Sequence, residues 1–224
     1  MPMTKAIPDR HTITGVLLAG GQSRRMFAET KTGGDKGLLD IAGKPMLGHV
    51  IARLRPQVGA LVINANGDPA RFAAFGLPVV GDTVMGHVGP LAGVLAGMQW
   101  SLANAPDATH IATVSTDAPF VPADLVARLA EGLLEHPIAL ASSGGEMHPV
   151  IGLWPVALAD YLEAALRDGV RKVLAWTDRH GTKAVEFPFA EIGERRVDPF
   201  FNANTPEELE EARALLALDH ANKA

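Results

Sequence analysis

"TITGVLLAGGQSRRM", Thr12 to Met26, is the stretch from which the fold is read. Its first eight residues, Thr12 to Ala19, are β-branched and leucine-rich, with apolar side chains at successive rather than alternate positions, which marks a strand buried on both faces as in a parallel sheet. Gly20-Gly21 ends the run, and a polar, glycine-rich loop follows as far as Gly37. Beyond it, Pro45 opens a helix through "MLGHVIARL", with Met46, Val50, Ile51 and Leu54 on one face. Then come a strand "ALVINAN" (Ala60 to Asn66), a brief strand "LPVVGD", a helix "GPLAGVLAGMQWSL" and a strand "HIATVSTD" that runs into Asp117. Pro122 starts the helix "ADLVARLAEGLLEH", and strands near Ile138 to Ser142 and Pro149 to Trp154 follow it. Helices at Ala157 to Leu166 and Lys172 to Thr177, an edge strand "KAVEF" and a helix Pro206 to Leu218 complete the chain.

Strands thus alternate with helices throughout. The expected fold is one α/β domain over residues 12–218, doubly wound, with helices on both faces of a mostly parallel sheet and frayed ends at 1–11 and 219–224. In such a fold ligands lie beyond the carboxyl ends of the strands. The glycine loop, Asn64, Asp82 and Asp117 all fall there.

The 224 residues are 47% hydrophobic and 20% charged, which excludes a disordered chain. No apolar run reaches the ~18 residues of a membrane span, and the polar start carries no export signal. Zero cysteines exclude disulfides, thiol nucleophiles and thiolate metal sites, and fit a reducing cytoplasm. A net charge of −5 disfavours nucleic-acid binding, so any polyanion must be met locally. Arg24, Arg25, Lys31, Lys36 and Lys44, five of the 20 basic residues, crowd the glycine loop.

Glycines after a strand let freed backbone N–H groups wrap an anion with no Cβ in the way. In "LLAGGQSRRMFAETKTGGDKGLLDIAGKPML" this coincides with Arg25 and Lys36, so the loop reads as a phosphate cradle; a flexible basic loop is the alternative. Its spacing is neither G-x-x-x-x-G-K-[ST] nor G-x-G-x-x-G, which weakens ATPase and dinucleotide readings. "VSTDAPFVPADL" sets Asp117 at a strand tip ahead of two prolines: a rigid carboxylate for a hard ion such as Mg2+, or equally an Asx turn bonding its own backbone. In "FFNANTPEELEEARALLAL", Thr205, Pro206 and Glu208 make a capping box, a local role, and leave Asn202 and Asn204 as neutral oxygens for a metal or substrate. Gly86, Gly89 and Pro90 precede or open a helix whose N-terminus favours an anion, while Gly93 and Gly97 read as close helix packing. His87, His148 and His180 show no ligand spacing, and Ser23, Ser115 and Ser143 lack the G-x-S-x-G elbow of a hydrolase.

Taken in order, "LAGGQSRRM", "DKGLL", "GKPM", "INAN", "GPLAG", "TDAPFVPADL" and "NANTPEEL" resemble the bacterial molybdenum cofactor guanylyltransferases of the nucleotidyltransferase superfamily, from Thr12 to about Leu218. The resemblance implies a Rossmann-like fold and transfer of GMP from GTP to the terminal phosphate of molybdopterin or its molybdenum-loaded form, releasing pyrophosphate, with Mg2+. Carried over by motif, Leu18, Ala19, Gly20, Gly21 and Lys36 would contact GTP, as would Asn64, Asp82, Gly89 and Pro90. Asp117 would hold Mg2+, joined by Asn204, and Arg25, Lys36 and Asp117 would be catalytic. It further implies a cytoplasmic monomer, with maturation proteins of molybdenum enzymes as candidate partners and neither nucleic acid nor membrane.

Two positions test that resemblance. The family usually reads R-M-G-x-D-K, whereas "RMFAETKTGGDK" has Phe27 at the glycine and extra residues before Asp35-Lys36, so Lys31 could supply the cation instead. Related cytidylyltransferases read L-A-A-G where this chain reads Leu18-Ala19-Gly20-Gly21; the missing Cβ at Gly20 leaves room for a purine and favours GTP over CTP. The alternatives to guanylyl transfer are a cytidylyl- or sugar-phosphate nucleotidylyltransferase, or a GTP-binding carrier or sensor that does no chemistry.

Overall fold

The computed structural model describes residues 7–20, 26, 34–84, 86 and 89–221. Its frame is a seven-stranded sheet of β1 (Ile13–Leu18), β4 (Ala60–Asn64), β5 (Val79–Val80), β6 (His110–Ser115), β7 (Ile138–Ser143), β8 (Glu146–Pro155) and β9 (Thr182–Glu186), in the order β5-β4-β1-β6-β8-β7-β9. Two short hairpins stand apart, β2 (Asp40–Ile41) with β3 (Lys44–Pro45), and β10 (Ala190–Ile192) with β11 (Arg195–Val197). β1 pairs in parallel with β4 and β6, with Leu18 opposite both Asn64 and Ser115. Residues 13–17 of β1 are all buried, Thr14 among them, as a strand covered on both faces requires.

The sheet separates two cores. Ile13, Leu17 and Ile63 face α1 (Met46–Leu54) and α3 (Leu125–Gly132), while Val16, Val62 and Trp154 face α2 (Pro90–Asn104), α4 (Ala159–Arg167) and α5 (Val173–Thr177). That alternation of successive strand residues between faces is the period of two of an extended chain. A third apolar cluster joins Met26, Ile41, Phe120, Ile192 and Val197 to Leu209, Leu215 and Leu216 of α6 (Pro206–Ala221). The expected doubly wound α/β fold, a single domain, is therefore present.

Several boundaries differ from the sequence reading. β8 is longer than Pro149 to Trp154 and runs antiparallel to both β6 and β7. The cause is the connection Gly144-Gly145, whose φ of 57° and 82° make a two-residue turn of the kind that reverses a chain between hydrogen-bonded strands. α3 begins at Leu125 rather than beside Pro122 and ends at Gly132 rather than His136. α6 continues to Ala221, where Asp219 pairs with Arg53 at 3.4 Å. Among the described residues no helix is long and apolar enough to cross a membrane.

Candidate nucleotide site

At the carboxyl ends of β4, β1 and β6 the backbones are sewn together: Ala19 N–H donates to Asn64 O at 2.9 Å and Thr116 N–H to Leu18 O at 3.4 Å. Asp117, 6% exposed, stands just past β6. One carboxylate oxygen accepts from Ser115 Oγ and the other from Lys36 Nζ, which excludes the Asx turn in which Asp117 serves only its own backbone. Lys36 Nζ also donates to Asn204 Oδ1 at 2.5 Å. Lys36 thus reaches the site despite the insertion before it; Lys31, its substitute, lies outside the described residues. Gly37 makes the approach possible, because a Cβ there would stand 3.0 Å from Thr116 Cβ and Oγ1.

Asn204 arrives by a different route. Ala203 N–H donates to Asp117 O at 3.2 Å, and Glu208 closes the capping box by accepting from Asn204 N–H (2.7 Å) and Thr205 N–H (3.0 Å) while its own N–H donates to Thr205 Oγ1 (3.2 Å). The box is local chemistry with a distant effect, since it fixes the residue that meets Lys36. Asn202 Oδ1 is buried with no hydrogen-bond partner among the described residues. A carboxylate and an amide oxygen converging on one ammonium are oxygen donors of the kind that suits a hard divalent ion.

A second polar group lies on the β4 side. Asn64 Nδ2 donates to Asp82 Oδ1 (3.0 Å) and Val80 O (3.3 Å), Asn66 Nδ2 donates to Asp82 Oδ2 (2.8 Å), and Asp82 N–H donates to Asn66 Oδ1 (2.8 Å). The sequence reading found Asn64 and Asp82 and missed Asn66, although the i, i+2 spacing of the two asparagines in "INAN" signals side chains on one face. Among the described residues, a Cβ built on Gly20 meets only Asn64 Oδ1, at 3.9 Å. Gly93 of α2 packs so close to Asn64 that a Cβ there would come within 2.3 Å of its Oδ1. Gly89 and Pro90 open α2 as expected, Gly86 has φ 73°, and Gly21, Arg25 and His87 lie outside the described residues.

Past β7, Ser143 Oγ lies 2.6 Å from His148 Nε2 and donates to Asp198 Oδ1 at 2.8 Å. Asp198 approaches that same ring nitrogen, at 3.8 Å, rather than orienting the ring from the other one, so this is no acyl-transfer triad. Asp198 also accepts from Phe200 N–H at 2.8 Å, and the His148 ring stacks on Phe200 at 4.7 Å, tying the segment before Asn202 to the sheet. Burial lowers the His148 pKa against the opposing pull of Asp198, Glu146 and Glu186. The sequence reading treated these residues singly and missed the cluster.

The Arg167 to Lys172 segment is taken up locally, Arg167 by Glu163 and Arg171 by the Leu166 and Val170 carbonyls. A cavity of about 560 Å³ lined by Ile13, Pro56, Gln57 and Val126 opens at the other end of β1, away from Asp117.

Residues 15–183 match the MobA-like NTP transferase domain. The chain belongs to that family. This MobA-like chain is 50% identical over 210 residues to the molybdenum cofactor guanylyltransferase of Bradyrhizobium sp. (strain ORS 278), covering 92% of this chain and 94% of the relative. Its fold is similar to that of molybdopterin-guanine dinucleotide biosynthesis protein A from Archaeoglobus fulgidus, with TM-score 0.66, 21% identity and coverage of 92% and 98%. It is also similar to Rv0371c of Mycobacterium tuberculosis, solved in complex with manganese, with TM-score 0.61, 18% identity and coverage of 91% and 98%. As a member of this family the chain is an enzyme, a nucleotidyltransferase.

Proposed function

We propose that the protein transfers GMP from GTP to the terminal phosphate of molybdopterin, free or molybdenum-loaded, giving molybdopterin guanine dinucleotide and pyrophosphate, as a Mg2+-dependent cytoplasmic monomer. The observation that carries the reading is the meeting of Lys36, Asp117 and Asn204 beside the opened end of β1, in a chain 50% identical to a protein of that name. The acceptor is a phosphate monoester with a second pKa near ~6, already an anion at neutral pH. It needs no general base, and none is required of the histidines. An acceptor oxygen forms a bond to the α-phosphorus of GTP as the bond from that phosphorus to the bridging β-oxygen breaks, and pyrophosphate leaves with the electron pair.

Two anions must therefore be brought in line and their charge neutralised. Asp117, with Asn204, would hold the divalent ion. That ion supplies charge neutralisation and geometry at the phosphates. Lys36 and Arg25 would add fixed positive charge; the backbone of Leu18 and Ala19 would flank the nucleotide, Gly20 and Gly21 would offer backbone N–H groups, and Asn64 and Asp82, with Gly89 and Pro90, would line the nucleotide side. Open space beside Gly20 supports a purine.

Incubating the protein with Mg2+, molybdopterin and each of GTP, CTP and ATP, with mass-spectrometric detection of the dinucleotide, tests this. Molybdopterin guanine dinucleotide from GTP is expected. Faster turnover of CTP, or GTP binding with no product, would overturn it.

A further inference from the structure

Lys36 is two residues past Gly34, where the described chain resumes after the insertion, and Asp35 stands between them. The Asp35 carboxylate accepts from Arg71 Nε at 2.5 Å. Both terminal nitrogens of Arg71 reach the segment after β4: Nη2 donates to Asn66 O at 2.6 Å and Nη1 to Asp68 O. Gly67, at φ 84°, turns the chain between those two carbonyls, and a Cβ there would stand 3.6 Å from Nη1. The guanidinium also lies over the buried Phe72 ring, 4.6 Å from its centroid. Neither side chain is loose: Arg71 is 26% exposed and Asp35 19%.

One planar cation therefore ties together two segments 36 positions apart. One carries Lys36; the other carries Asn64 and Asn66, which hold Asp82. A lysine has no fixed fork of donors with which to span a carboxylate on one segment and two backbone carbonyls on the other. Lys36, for its part, carries its ammonium at the end of a flexible stem, in contact here with Asp117 and Asn204, so its reach is set by where its backbone is held. We propose that Arg71 is a positioning residue for Lys36: through Asp35 it sets the Lys36 backbone in register with the Asn64–Asn66–Asp82 side, so that both halves of the nucleotide site keep one spacing. The inference rests on the reading above, in which Lys36 acts on the nucleotide phosphates.

The test compares wild type, Arg71→Ala, Arg71→Lys, Lys36→Ala and the Arg71→Ala/Lys36→Ala double variant, by pyrophosphate release with GTP and molybdopterin, GTP affinity by calorimetry, and melting temperature. A displacement of about 1 Å at a reacting group costs about a hundredfold. Arg71→Ala is expected to lower kcat about ten- to a hundredfold at a nearly unchanged melting temperature, and Arg71→Lys not to restore it. Added to Lys36→Ala, Arg71→Ala should cost less than about twofold more, because residues that act through one another are not additive. A wild-type rate for Arg71→Ala, or its full factor repeated in the Lys36→Ala background, overturns the inference. Wild type that makes no product sinks the transferase reading instead; the affinity cycle then decides, with Arg71→Ala weakening GTP binding to wild type but not to Lys36→Ala if the clamp acts through Lys36, and equally in both if it does not.

Discussion

Gly93→Ala separates packing from function at the nucleotide site. The added methyl would come 2.3 Å from Asn64 Oδ1 and 2.8 Å from Leu18 Cδ2, closer than atoms stand without something moving. Asn64 is 3% exposed and held by Asp82 and Val80, so it has no free space into which to retreat. Overpacking costs about 1–3 kcal/mol, and loss of one hydrogen bond about 1 kcal/mol. Alanine returns about 1 kcal/mol of helix preference. The balance is about 2 kcal/mol, or a fall in melting temperature of about 4–8 °C for a chain of this size. Gly97→Ala is the control: its methyl would meet Val16 Cγ2 at 2.6 Å, a clash of similar kind with no polar residue involved, and its balance is about 1 kcal/mol. Thermal unfolding should show both variants destabilised. Calorimetry should show only Gly93→Ala weakening GTP binding, by about five- to tenfold for one displaced hydrogen bond. Equal GTP affinity in the two variants would remove Asn64 from the nucleotide site, and an undiminished melting temperature for Gly93→Ala would refute the close approach itself.

Other expectations follow from single contacts. Asp117→Asn keeps the shape and removes the charge, so product formation should fall by at least about a hundredfold and added Mg2+ should not restore it; a rate within tenfold of wild type contradicts the assignment. Burial lowers the His110 pKa from 6.5 to about 4. Between those values the unfolded chain binds the proton and the folded one does not, so the contribution of His110 is complete above pH 6.5 and is lost as pH falls toward 4, at most about 3 kcal/mol. Urea midpoints measured across that range should fall with pH in wild type and less steeply in His110→Gln; parallel slopes would exclude His110 as the source. Trp154 Nε1–H donates to Thr113 Oγ1 at 2.8 Å, and Thr113 Oγ1 donates to Val150 O at 2.8 Å, with both side chains buried. Thr113→Val orphans the indole N–H and should cost about 1–3 kcal/mol, read by denaturation followed through tryptophan fluorescence; an unchanged midpoint would show the network to be idle.

What the sequence determined about this protein is what neighbouring residues settle between themselves. Apolar and β-branched residues at successive positions marked β1, β4 and β6 as interior strands, because a strand covered on both faces lacks regular polar alternation. Glycine and proline placed the turns at their ends, and Thr205 with Glu208 capped α6. Since a parallel sheet turns the carboxyl ends of its strands one way, Asn64, Asp82 and Asp117 were legible as lying at one end of the sheet before any contact was known. The sense of β8 was written locally as well, in Gly144-Gly145, although its apolar pattern alone does not distinguish parallel from antiparallel pairing.

The polar partners were decided only by tertiary structure. Lys36 meets Asp117 across 81 positions and Asn204 across 168, and an insertion precedes it; the entropy of closing such loops grows so slowly with length that spacing along the chain says almost nothing about who meets whom. Arg71, Ser143 and Asp198 carry no pattern that sets them apart from other polar residues of the chain. Their partners are chosen by packing: the two cores fix the strand ends and the third cluster brings in α6 and the short hairpins, and each buried donor then bonds whichever acceptor that packing has placed within reach.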